Sequence, residues 1–196
     1  AAGAPLGTIA QLPLSGAGSL VPVADIAAHE LSMNPVGGST DSNPFGLTLT
    51  PSGNFVVADA GGNDLLQATP TGIISTLAVL PVRPNPLPFG PPVFQSVPTT
   101  VTVGPDGDYY VGQLTGFPFP AGAANVYRVD PMTNELTTAF TGFTNIVDLT
   151  FDEDGNLYVL QISTNGLASP TGPGSGVLLK IDRESGDRTT ITRDGL

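Results

Sequence analysis

Three side chains have the type and spacing to hold a hard cation: Asn43, Asn145 and Asp148. The chain repeats a polar turn at Gly53, Gly107 and Gly155. Asn43 and Asn145 stand ten residues before their turn glycines, with Val97 at the matching place, and Asp148 stands seven before, matched by Gly46 and Thr100. Amide and carboxylate oxygens suit calcium, which takes about six to eight of them, so water and further protein oxygens would complete such a shell. The alternative is that Asn43 and Asn145 satisfy turn backbone groups through Asx-type hydrogen bonds. Asp152, Asp154 and Asn156 imitate the opening of a calcium loop. Gly155 falls between the second and third ligand positions, however, and no downstream Glu follows, so a turn is expected there. His29 is the sole histidine, and it is expected as a solvated or hydrogen-bonded side chain, because catalysis or metal binding needs partners. Nucleophilic catalysis has no footing without Cys, a G-x-S-x-G turn or a partnered His. A phosphate-cradling G-x-x-x-x-G-K-[ST] loop is also absent.

The elements that must position these residues are strands. LTPSGNFVVA (49–58), VGPDGDYYVG (103–112) and FDEDGNLYVL (151–160) each place a tight polar turn between two short apolar runs, and their glycines lie 54 and 48 residues apart. Such turns between alternating apolar residues are strong hairpin signals. Each unit continues into a third strand (64–68, 125–129, 176–181) and a fourth (74–77, 136–139, 188–191), the last rich in Thr or Ser. A four-stranded unit repeated near this length cannot bury both faces alone, which predicts an all-β β-propeller. Full blades are expected at about 44–79, 98–140 and 145–192, within a propeller region of 19–196. Residues 19–26 form a loose strand of a partial fourth blade, 1–18 a flexible arm, and 27–41 a loop. Residues 80–98 carry seven prolines in nineteen positions and are expected to cross between blades as a stiff loop outside any sheet ladder, with Phe89 and Phe94 capping the core or plugging the propeller face. The enlarged loops 113–124 and 163–175 occupy equivalent places and are expected on one face, with Phe117 and Phe119 as ligand-contact candidates there.

Composition narrows the partners. With 17 acidic against 6 basic residues, a net charge of −11 and a pI near 4.1, the surface repels nucleic-acid backbones and anionic lipid. No apolar run is long enough to span a bilayer. Low charge, abundant Thr, Gly and Pro, no Cys, and an Ala1-Ala2 start of the kind that signal cleavage leaves point to an extracytoplasmic protein, periplasmic or extracellular.

Three segments carry a family resemblance: VVADAGGNDLLQ (56–67), YYVGQLTGFPFPAGAANVYRV (109–129) and TGFTNIVDLTFDEDGNLYVL (141–160). They resemble the ScyD/ScyE family, named for proteins of the cyanobacterial scytonemin pigment cluster. The resemblance runs from about Ser19 to Leu196 and implies an NHL-like, exported β-propeller, with no catalytic residues to carry over. In gluconolactonase-like propellers an Asn near positions 43 and 145 helps hold a divalent cation, which makes calcium the one cofactor to consider. Two functions follow. The first is a non-enzymatic binding or structural module with a small-molecule or pigment ligand. The second is a metal-dependent hydrolase or lactonase using Asn43, Asn145 and Asp148. Family members are longer, and three blades plus one strand do not close a ring, since propellers need about four to eight blades. The expectation is either self-association through exposed terminal blade faces, as a ring or a fibre, or that the chain is part of a longer protein whose missing blades complete the propeller.

Overall fold

The computed structural model describes residues 6–14, 18–38 and 40–192. An N-terminal pair, β1 (Thr8–Gln11) and β2 (Val21–Asp25), leads into helix α1 (Ile26–Met33). Three four-stranded antiparallel sheets follow, each with its strands in chain order. Blade one is β3 (Pro44–Leu49), β4 (Phe55–Asp59), β5 (Asp64–Ala68) and β6 (Ile74–Val79). A small pair, β7 (Arg83–Pro84) and β8 (Val93–Phe94), crosses to blade two: β9 (Pro98–Val103), β10 (Tyr109–Gln113), β11 (Ala124–Val129) and β12 (Leu136–Phe143). Blade three is β13 (Ile146–Phe151), β14 (Leu157–Gln161), β15 (Val177–Ile181) and β16 (Arg188–Thr192). No helix among the described residues is long and apolar enough to cross a membrane.

The repeated turn is built the same way three times. Gly53, Gly107 and Gly155 adopt φ of +85°, +90° and +83°, conformations that L side chains resist. Each donates its N–H three residues back, to Thr50, Gly104 and Asp152. The first strands β3, β9 and β13 lie side by side, as the inner strands of a propeller do. A Cβ on Gly46 would sit 2.7 Å from Thr100 Cα, so glycine permits the close approach of β3 to β9.

Burial explains the stacking. One core lies between blades one and two, from Val56, Leu65 and Leu80 to Val111, Tyr127 and Val129. A second lies between blades two and three, from Val126 and Phe143 to Leu149, Val159 and Ile181. A third joins Ile9, Ala24 and Ile26 to Val57, Leu66 and Ala68 on the far face of blade one. Apolar residues alternate because strand side chains alternate, and each blade uses both parities.

Several segments differ from the sequence reading. Thr8–Gln11, placed in a flexible arm, forms β1 and pairs with β2, while residues 1–5 and 15–17 lie outside the described residues. The strand at 19–26 therefore belongs to a two-stranded sheet laid over blade one, not to a blade of its own. The expected loop at 27–41 begins with α1, capped by Asp25, whose side chain accepts the Ala28 N–H at 2.9 Å. Within the proline-rich crossing, Pro84 pairs with Val93, an edge position where its missing N–H costs no ladder bond. Blade two runs on to Phe143 because β12 pairs with β11 as far as Ala124.

Candidate functional site

The β4–β5 turn, Asp59-Ala60-Gly61-Gly62-Asn63-Asp64, closes blade one at the end where the loops gather. Asp59 and Asp64 are directly paired across the two strands, so two carboxylates face one turn. Gly61 and Gly62 let this turn press against its surroundings. A Cβ on Gly61 would meet Asn43 N at 2.7 Å, and one on Gly62 would meet Glu30 Cδ at 3.0 Å and Asp64 Oδ1 at 3.1 Å. Helix α1 supplies the third acid. Glu30 is buried on the helix side that faces the turn, and Glu30, Asp59 and Asp64 each bring an oxygen within 4.8 Å of the others. All three are at most 2% exposed.

Their electrostatic situations differ. Asp59 is well supplied: its Oδ1 accepts N–H groups of Asn43 at 2.6 Å and of Gly61 and Gly62 at 3.0 Å, and its Oδ2 accepts the Ser42 hydroxyl at 2.7 Å. Neither oxygen of Asp64 nor Oε1 of Glu30 receives an N–H or O–H donor among the described residues. Burial without donors penalises the charged form. Desolvation first, then the neighbouring Glu30 and Asp59, push the Asp64 carboxyl up to about 9. Desolvation also raises Glu30, although its hydrogen bond with Asp64 works the other way. The ion pairs among the described residues join Arg128 to Asp106 and Asp108, and Lys180 to Asp152; none reaches this corner. Solvent approaches along two shallow cavities that share Glu30 and Asp41, one lined also by Thr40 and Ser42, the other by Asn34, Gly62 and Gln95.

The residues singled out from sequence lie elsewhere. Asn43 is exposed, and its backbone N–H and C=O engage Asp59 and Ala60. Asn145 is fully buried at φ +46°. Its amide donates to Leu114 O at 2.6 Å and accepts from Leu167 N at 3.2 Å, so it ties together the two enlarged loops. Asp148 is exposed and accepts from Thr100 Oγ1 at 3.0 Å and from Leu149 N at 2.9 Å. The side chains of Asn145 and Asp148 have separate partners, and Asn43 is engaged through its backbone. Phe117 and Phe119 do come together, edge to face at 6.1 Å, with Phe89 6.4 Å from Phe117. Phe94 is buried under the Arg83 guanidinium at 5.0 Å. Asp152 accepts both the N–H and the side-chain amide of Asn156 across the turn. His29 sits on α1, where burial lowers its pKa and its Nε2 has no hydrogen-bond partner among the described residues.

The acid corner escaped sequence reasoning because its third member is 29 residues upstream of Asp59. The available signal was the pair of aspartates flanking Ala-Gly-Gly-Asn, which differs from the matching corners of the other blades. Six residues past each turn glycine stand Asp59, Gln113 and Gln161, so only blade one has a carboxylate there.

No family model matches the chain, and no curated protein matches it in sequence. Solved structures do. Virginiamycin B lyase from Staphylococcus aureus matches with TM-score 0.55 and 18% identity over 95% of this chain and 48% of its own. A nidogen/laminin complex gives TM-score 0.64 and 14% identity over 97% and 60%. A gluconolactonase from Xanthomonas campestris, XC5397, gives TM-score 0.54 and 12% identity over 78% and 48%. The chain thus spans about half to three-fifths of the length of these structures. Together with the three stacked sheets, the likeness shows a β-propeller fold.

Proposed function

We propose that the protein is a non-enzymatic, exported β-propeller that acts as a binding and structural module and associates with further copies of itself through its terminal blades. The observation that carries this reading is a row of large apolar side chains on the innermost strand of blade one. Phe45, Leu47 and Leu49 are 60%, 55% and 61% exposed. Their neighbours on the same face, Val57, Leu66 and Phe55, are covered by β1, β2 and α1, so the cover stops short of β3. Covering the rest of three such side chains contributes about 1 kcal/mol each. At the other end, blade three presents a mixed face on which Tyr158 and Lys180 are paired across strands, with the Lys180 ammonium 5.7 Å from the Tyr158 ring. The occupant proposed for the β3 face is a second copy, because the same apolar row on another copy is a self-complementary partner for it in a two-fold contact. The ScyD/ScyE resemblance supports export and adds a pigment or other flat apolar ligand, for which the half-exposed ring of Phe117 beside Phe89 and Phe119 offers a stacking surface.

The test is sedimentation velocity on the chain and on Leu47→Lys. The expected result is a concentration-dependent assembly that the substitution dissociates while circular dichroism stays unchanged. An identical sedimentation profile for both proteins contradicts the reading. The lactonase reading ranks second, favoured only by the fold shared with gluconolactonases; the amide of Asn145, on which it would rely, is committed to holding loops.

A further inference from the structure

We propose that Glu30, Asp59 and Asp64 form a divalent-cation site of calcium size that fastens helix α1 to the β4–β5 turn of blade one. Three acids converge in a buried corner, each offering an oxygen within 4.8 Å of the others. Oxygens that share one calcium at about 2.3–2.6 Å lie up to about 5 Å apart, so these three can share one ion, and calcium accepts irregular carboxylate sets whereas magnesium dehydrates reluctantly and demands a near-ideal octahedron. Acid clusters are common and solvated ones need no ion. This one differs in that Asp64, fully buried, offers an oxygen to the corner while neither of its oxygens receives a hydrogen bond from any described donor, and Oε1 of Glu30 is equally bare. Buried polar atoms are otherwise satisfied in most folded proteins, and a buried charge is paired or coordinates a metal.

The corner also looks built for a small guest. Asp59 is held in place by three backbone N–H groups and the Ser42 hydroxyl, so its orientation is fixed before an ion arrives. Gly62 leaves open the space beside Glu30 and Asp64 that a methyl group would crowd. The shallow cavities along Glu30, rimmed by Asp41, give an ion and its remaining waters a way in. The rival account of the same contacts is a proton shared between the Glu30 and Asp64 carboxyls, which requires no ion.

The site stands or falls separately from the self-association proposed above, since it uses none of the β3 face. The experiment is a calcium chloride titration of the chelator-treated full chain at pH 7.5, followed by calorimetry and by thermal melting. The expected result is a saturable single-site response, weaker with magnesium, that Asp64→Asn and Glu30→Gln each weaken about tenfold or more as ligand charge is removed. Asp154→Asn, in an exposed acidic turn, serves as the control for general attraction to a chain of charge −11 and leaves the response unchanged. In chelator, Asp64→Asn melts no lower than the unaltered chain, because an amide fills the same space with no buried charge to desolvate; a carboxylate with a structural role would melt lower on substitution. If Asp64→Asn does not fold, Glu30→Gln carries the same comparison. Absence of a saturable calcium response, which is what the shared proton predicts, overturns the site, as does a response that survives both substitutions.

Discussion

Blade one and blade three share a backbone corner and fill it with opposite chemistry. In both, the residue ten before the turn glycine accepts the N–H of the residue seven after it: Ala60 to Asn43 at 3.0 Å, Ile162 to Asn145 at 3.1 Å. In blade three the corner side chains are amides and hydroxyls with partners. Gln161 accepts Thr144 N at 2.6 Å, Asn145 bridges two loops, and Ser163 accepts from Gly166 N at 2.9 Å while donating to Pro173 O. In blade one the matching corner carries Asp59, joined by Asp64 and Glu30, and both oxygens of Asp64 and one of Glu30 find no donor among the described residues. The repeat therefore fixes where a corner side chain points, and the side chain alone decides whether the corner is self-sufficient or needs something from outside. Blade two lies between them: Gln113 is fully buried and neither of its amide atoms has a described partner.

The largest effect that would sharpen this contrast is Asn145→Ala. It orphans the part-buried Leu114 carbonyl and Leu167 N–H and leaves alanine at φ +46°, costing about 3 kcal/mol. Asn43→Ala at the matching place costs under about 0.5 kcal/mol, as an exposed side chain should. Urea denaturation of the pair reads both values, and equal costs would break the claimed difference between corners. Next comes calcium itself, which at about 100 times its dissociation constant should stabilise the chain by about 2.7 kcal/mol. Gln161→Ala follows at about 2 kcal/mol, because it strips the acceptor from the buried Thr144 N–H, and calcium should not alter that cost.

The gentlest effect is a slope with pH, spread over several units. Asp64 and Glu30 are raised in the folded chain, so ion-free protein holds more protons folded than unfolded. The stability these two carboxyls contribute is fully present below their ordinary range and is lost as pH rises toward about 9. Asp59 and the rim residue Asp41 add negative charge to the same corner, while His29, lowered by burial, acts in the opposite sense below its ordinary value near 6.5. Melting curves in chelator between pH 7 and 9 isolate the carboxyls: stability falling with pH is expected, and calcium should flatten the slope.

Much of the blade architecture is legible in the sequence because its signals are local. A glycine at positive φ, an acceptor three residues before it and a short apolar run after it lie within about ten residues, and the unit occurs three times. The first 40 residues resist the same reading. Thr8–Gln11 is a strand only because Val21–Asp25 pairs with it, and Ile26–Met33 is too short to display a helical period, although Asp25 and the left-handed Asn34 cap it correctly. The acid corner needed both failures to be resolved first, since Glu30 reaches Asp59 and Asp64 only once α1 exists. Asn145 reads as a ligand from its position, and only its partners reveal a brace.

The exposed apolar face of β3 in blade one is the proposed interface between copies. Light scattering over a range of concentrations, with calcium and with chelator, measures it directly. The account predicts a molar mass of at least twice 19.9 kDa that falls on dilution or with Leu47→Lys. A folded, monodisperse species of 19.9 kDa at every concentration would contradict it.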